Sequence, residues 1–352
     1  MRLTPRRQWP GRYLRGSHCF STMIRNAFAE TGFDLDEEAS YVIGGGLGFL
    51  FCRDGDTYYV NSRIHDLEHF FARRTGSRID FVSHTTADAM LARTREWADA
   101  GHLPYLYCEA RELSSFRGVL PWDEVHPFGE HALPVRSVSA DGSVVVNDYL
   151  WARPIEVSAE EVATATAMPS DGAISMACPA RRFAVGRIIP PEHVPDIREV
   201  LALSLVESAE LFLHPVNNTQ GERALKTFER ELASMPDVVD PEVTRVELMS
   251  MSTMLEKIGS GGGAGRHLFA RGLRAASTHL DDVSLSVLAS EYAALGGRWR
   301  ALARDLRAHA AQRDPRDGWA GLVTAVREVR RREVAAATEL LRVSAVALGA
   351  TT

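Results

Sequence analysis

Apolar positions in the first half of the chain recur with two different periods. Phe20, Met23, Ile24, Ala27 and Phe28 stand three and four residues apart, the spacing of one helix face, behind Ser17 as N-cap and ahead of Gly32 as a stop. Residues 41–51 (YVIGGGLGFLF) and 57–61 read as strands, 63–74 and 86–100 as helices, and 105–109 as a β-run. Two β-branched runs, 133–139 and 143–148, are joined by Ala140-Asp141-Gly142 and form the clearest hairpin. Helices alternating with hairpin-joined strands imply an α+β fold with an antiparallel sheet.

After Pro190-Pro191 the pattern becomes helical and rich in Ala, Leu, Glu and Arg. It is interrupted at 215–218, 236–241, 259–265, Gly296-Gly297 and 315–318, which predicts five or six helices. The expected organisation is residues 1–190 as an α+β domain and 191–352 as an all-α domain packed on it.

Bulk composition then excludes several classes. A net charge of −6 over 352 residues gives no basic field for nucleic acid. No run approaches ~18 consecutive apolar residues, so no membrane span is expected, and the basic N-terminus lacks the apolar run of a secretory signal. Cys19, Cys52, Cys108 and Cys178 follow no metal-binding rhythm and suit a reducing cytoplasm.

One cysteine stands apart. Cys19 falls in the first turn of its helix, where unsatisfied N–H groups favour a thiolate and can face an oxyanion. A base must come from elsewhere in the sequence. His131 opens the hairpin and Asp148 closes it, so the two face each other across adjacent strands; the carboxylate can hold one imidazole nitrogen while the other faces the thiol. Asn147 points to the opposite face by alternation. A helical cysteine also serves as packing, and a His–Asp bond across a hairpin also serves structure, so spacing alone leaves both readings open.

The stretch 16–51 resembles the N-terminal domain of the butirosin-biosynthesis (BtrH) acyltransferase family. His18-Cys19, Arg25-Asn26, Gly32, Glu37 and the glycine run 44–48 carry the resemblance, followed by residues 101–109 and the His131…Asp148 hairpin. The second half resembles the helical domain of unknown function that often follows, through 258–269 (IGSGGGAGRHLF) and 291–303. The resemblance implies a papain-like fold, with Cys19 as nucleophile, His131 as base and Asp148 as orienter. It also implies transfer of an acyl group from a carrier-protein thioester to a small-molecule amine. Related peptidases place an oxyanion-hole Gln six residues before the Cys; here that position is Tyr13. The phenol, the His18 side chain or backbone N–H groups must substitute, with Gly45 and Gly46 allowing close backbone approach.

Other patterns carry competing explanations. His65, Glu68 and His69 fit H-x-x-E-H, which holds zinc on a helix, but no third ligand is apparent and a solvated helix explains them as well. The 259–265 loop and Arg266 could hold a phosphopantetheine phosphate or a carboxylate, or could simply connect two helices. Cys52, Cys108 and Cys178 read as core, and 327–332 as the solvated face of the last helix. The resulting expectation is a cytoplasmic acyltransferase with no resident cofactor or metal, an acyl carrier protein as donor partner, and a homodimer left open. A cysteine hydrolase or a non-catalytic binding homologue stands as the alternative.

Overall fold

Helix α1 (Cys19–Phe28) starts at the cysteine itself, with His18 rather than Ser17 as its N-cap. The His18 ring accepts from the Ser21 N–H at 3.4 Å, while the Ser17 N–H is drawn away by the Glu37 carboxylate at 2.7 Å. The computed structural model describes residues 13–29, 35–62, 66–127, 131–167, 181–193 and 195–351. Gly32, His65 and Cys178 lie outside these.

The largest departure from the sequence pattern is in the run 41–51, read as a strand. Residues 41–43 end helix α2 (Glu37–Ile43), and 44–49 form no strand. Asp36 caps α2 by accepting from the Ala39 N–H, and Glu37 and Glu38 occupy the first turn, where negative charge stabilises a helix. Cap chemistry and burial against α1 override the β-propensity of Tyr41, Val42 and Ile43. The strand signal survives only at the end of that run, in β1 (Leu50–Asp54), which pairs antiparallel with β2 (Thr57–Asn61).

Six further strands make one sheet in the order β3-β8-β4-β5-β6-β7, with antiparallel pairs throughout. They are β3 (Arg78–Ser83), β4 (Tyr105–Cys108), β5 (His131–Val138), β6 (Val144–Val146), β7 (Ile155–Val157) and β8 (Ala184–Ile189). Helices α3 (Leu67–Thr75), α4 (Ala87–Asp99) and α5 (Ala159–Thr166) complete this part. The expected hairpin is β5–β6, with Gly142 at φ +86° in its turn. A cysteine at the head of a helix packed on a sheet strand that carries a histidine is compatible with a papain-like arrangement. The α+β part with its antiparallel sheet and the helical part that follows agree with the class read from the sequence.

The helical part comprises α6 (Ile197–Leu213), α7 (Gly221–Val238), α8 (Pro241–Glu256), α9 (Arg266–Leu280), α10 (Val283–Ala310) and α11 (Trp319–Thr351). Gly296-Gly297 does not interrupt it. Gly296 sits inside α10 against the His267 ring, where a Cβ would come within 2.7 Å, so glycine permits close helix approach. Among the described residues no helix is long and apolar enough to cross a membrane. The β1–β2 hairpin packs into this helical part: Phe51 N–H donates to Thr219 O at 3.0 Å, Gly221 N–H to Phe49 O at 2.7 Å, and Phe49 stacks on Trp299.

Beneath that hairpin lies a fully buried ion pair. Arg266 Nε donates to Glu333 Oε1 at 2.7 Å, and Trp299 Nε1 donates to the same oxygen at 2.6 Å. The guanidinium also donates to Ser62 O and Ala264 O. Removing one partner leaves a buried charge unpaired, so Glu333→Ala should cost about 3–5 kcal/mol in unfolding free energy. Urea denaturation measures this, and a loss below about 1 kcal/mol would contradict the role given to the pair.

Candidate active site

The turn before Cys19 is built around one carboxylate. Glu37, buried at the start of α2, accepts from five donors: the N–H groups of Ser17 and His18 and the hydroxyls of Ser17, Ser21 and Thr22. Gly16 allows the approach, since a Cβ there would overlap Thr22 Oγ1 and the Glu37 carboxyl. The helical part braces the same turn. Arg271 on α9 donates to Ser17 Oγ at 3.1 Å and to Glu38 at 2.9 Å, and Gly261 lies against Ser17 O. The Cys19 N–H, the first of α1, has no acceptor among the described residues.

The sheet brings the other two residues to that point. Past the paired part of β6 the chain runs beside the start of β5, and the Asp148 carboxylate meets His131 Nε2 at 2.7 Å. Cys19 is close enough to act on the imidazole electrostatically. With Nε2 held by the carboxylate, Nδ1 is the nitrogen left for sulfur. All three groups are enclosed: Cys19 is 8% exposed, His131 3% and Asp148 1%. Phe116, Trp122 and Tyr149 surround the imidazole with ring centroids 5.4–6.1 Å away. Burial alone would lower the His131 imidazole, but the charge of Asp148, the hydrogen bond to it and the influence of Cys19 outweigh it and raise the group to about 10.

The remaining sequence candidates separate. Tyr13 joins the site: burial, then the negative charges of Asp148 and Cys19, push its phenol well above the ordinary range, so it stays protonated as a donor. The His18 ring is turned inward as a cap against Tyr41. Gly45 lies beside Phe70 and Arg74, and Gly46 against the Tyr41 ring. Arg266 is committed to Glu333, so the 259–265 loop is a buried brace for the Cys19 turn and Arg266 is closed to an anion. The roles of Glu37 and Arg271 had no local signal: Glu37 is distant in sequence from the turn it organises, and Arg271 belongs to the other half of the chain.

Cys108 is core, its thiol raised by burial and donating to His131 O at 3.7 Å. Burial likewise pushes Cys52 up to about 11. Asp66, Glu68 and His69 offer ligand atoms within 4.8 Å of one another, but Arg181 bridges both carboxylates and Tyr107 donates to Glu68. Burial opposes the Glu68 charge, yet bonds from His69 and Tyr107 with the Arg181 charge hold its carboxyl down near 2. The four arginines of the basic run 327–332 are ion-paired with Glu229, Glu222 and Glu328.

Two outcomes follow. Glu37→Gln removes the charge that five donors share, and should lower unfolding free energy by about 2–3 kcal/mol. It should also slow Cys19 alkylation at least tenfold (order-of-magnitude); a variant unchanged in both would contradict the assignment. The second concerns pH. In a Cys19→Ala chain the thiol no longer exchanges the proton, and Asp148 holds His131 above its unfolded value of about 6.5. That stabilisation is complete below about pH 6.5 and is lost as pH rises toward the folded value, at up to about 1.4 kcal/mol per pH unit. Urea denaturation across pH 6–10 should show this fall, and adding Asp148→Asn should flatten it; identical slopes would contradict the pairing.

Comparison with known proteins agrees with this geometry. Residues 18–148, from the cap of α1 to Asp148, match the family described as Butirosin biosynthesis protein H, N-terminal. Residues 173–340 match the domain of unknown function DUF4872. No curated protein matches the chain. The two matches account for most of the sequence: the first part carries a domain similar to the N-terminal domain of butirosin biosynthesis protein H, and the helical part carries the domain of unknown function that follows it.

Proposed function

We propose that this chain is a cysteine-dependent acyltransferase of natural-product biosynthesis. It would act in the cytoplasm and move an acyl or aminoacyl group from a carrier-protein thioester to an amine. The family description associates the N-terminal domain with butirosin, and so with antibiotic biosynthesis. The observation that carries the reading is the buried His131–Asp148 hydrogen bond held beside Cys19, the first residue of α1, whose charge His131 feels.

The chemistry balances without ATP or metal. A protonated imidazole beside sulfur stabilises the thiolate that attacks the thioester carbonyl. The developing oxyanion would be met by the Cys19 N–H and the protonated Tyr13 phenol, which take the place of the usual glutamine. The carrier C–S bond breaks, and the leaving thiolate takes the His131 proton. The acceptor amine then attacks the acyl-enzyme, neutral His131 takes its proton, and the amide leaves with the Cys19 thiolate restored. The aromatic wall around His131 excludes water, which favours aminolysis over hydrolysis. Residues 1–190 supply the reacting groups, and residues 191–352 brace them.

Incubation with a simple acyl thioester, followed by intact-protein mass spectrometry, tests the reading. The wild type should gain one acyl mass, Cys19→Ala should gain none, and an added amine should discharge the acyl-enzyme as amide. Discharge only to free acid would make the chain a thiol hydrolase. Absence of acylation in the wild type would leave a binding homologue.

A further inference from the structure

A pocket of about 300 Å3 lies beside Tyr13, and its polar lining is one-sided. Tyr13, Arg15, Arg136, Asn147, Trp151 and Arg153 line it, and among the described residues no Asp or Glu does. Tyr13 connects the pocket to the triad, since its phenol feels the charges of Asp148 and Cys19.

Its donors lack acceptors. Asn147 is only 2% exposed, yet its Nδ2 has no hydrogen-bond partner, and the buried Trp151 Nε1 has none either. Buried donors in native proteins are nearly always satisfied, so two unpaired on one small pocket call for a ligand with acceptor oxygens. Arg136 and Arg153 carry no ion pair among the described residues. Arg15 is held at the rim by its bonds to Tyr149 O and Leu150 O. Arg136 is placed there by a distortion of the sheet: Val135 pairs with Val146 but Ser137 with Val145, so Arg136 is the extra residue of a β-bulge. Bulges next to active sites re-aim a side chain.

Amide, indole and guanidinium donors with no carboxylate beside them match an oxyanion. We propose that this pocket binds the anionic group of the acyl donor, either the phosphate of a phosphopantetheine arm or a carboxylate on the acyl group. Naming the ligand as the donor rests on the thiol acyltransferase reading; the anion site itself does not.

Equilibrium titration of the full-length Cys19→Ala chain tests it without turnover. One arm compares 4′-phosphopantetheine with pantetheine, and the other the N-acetylcysteamine thioesters of succinate and butyrate. At least one anionic probe should bind about tenfold more tightly than its neutral counterpart, about 1.4 kcal/mol. The advantage should vanish in Arg136→Gln/Arg153→Gln and partly return with Lys at both positions. A phosphate advantage assigns the carrier arm, and a carboxylate advantage assigns the acyl group. Equal binding within both pairs, or an advantage that survives the double Gln variant, overturns the site. If the anion advantage holds but the wild type never acylates on a thioester, the proposed reaction fails and the pocket stands. If it acylates without any anion advantage, the pocket alone fails.

Discussion

Everything at the thiol depends on the Glu37 carboxylate. A carboxylate is costly to bury unless it is fully hydrogen-bonded, and this one is satisfied only when Ser17, His18, Ser21 and Thr22 converge on it. That requirement fixes where α1 begins, and so sets Cys19 at its first residue with a backbone N–H unclaimed. It also places α2 beneath α1, against the β-propensity of the residues that form it. Ligands gathered around one buried charge restrict the turn more tightly than packing alone would.

The second constraint is the enclosure of His131. Its ring lies in a low-dielectric setting, where a lone imidazolium would be unfavourable, and Asp148 reverses that balance. The same enclosure carries the chemical consequence: the imidazole can hold and return a proton while aromatic rings keep bulk water away. The helical part contributes by bracing the turn before Cys19. Arg271 and the 259–265 loop press on the Ser17 turn, and the buried Arg266–Glu333 pair fastens that loop to the end of β2. Loosening the helical part should therefore be felt at the thiol.

Features with a local signature were legible in the sequence. Periodicity shows α1, the helical pattern of 86–100 marks α4, and the Asp141-Gly142 turn announces the hairpin whose ends meet as His131 and Asp148. The helical character of the second half was equally plain. What stayed hidden was set by distant partners. Residues 41–43 look like a strand until the Asp36 cap and the α1 contact are counted. Gly296 looks like a break until His267 is seen against it. Arg266 looks like an anion ligand until Glu333 occupies it. The bulge at Arg136 and the unpaired Asn147 amide depend on strand register, which spacing does not report.

The central claim is that Cys19 is the activated thiol of this chain, and cysteine-resolved alkylation tests it most directly. Native protein is treated with limiting iodoacetamide at pH 7, and label at each cysteine is read by peptide mass spectrometry. Cys19 should be modified at least ~100-fold faster than Cys52 and Cys108, whose buried thiols are held protonated, and His131→Ala should erase most of that advantage. Equal labelling of the three, or a Cys19 rate indifferent to His131, would contradict the account.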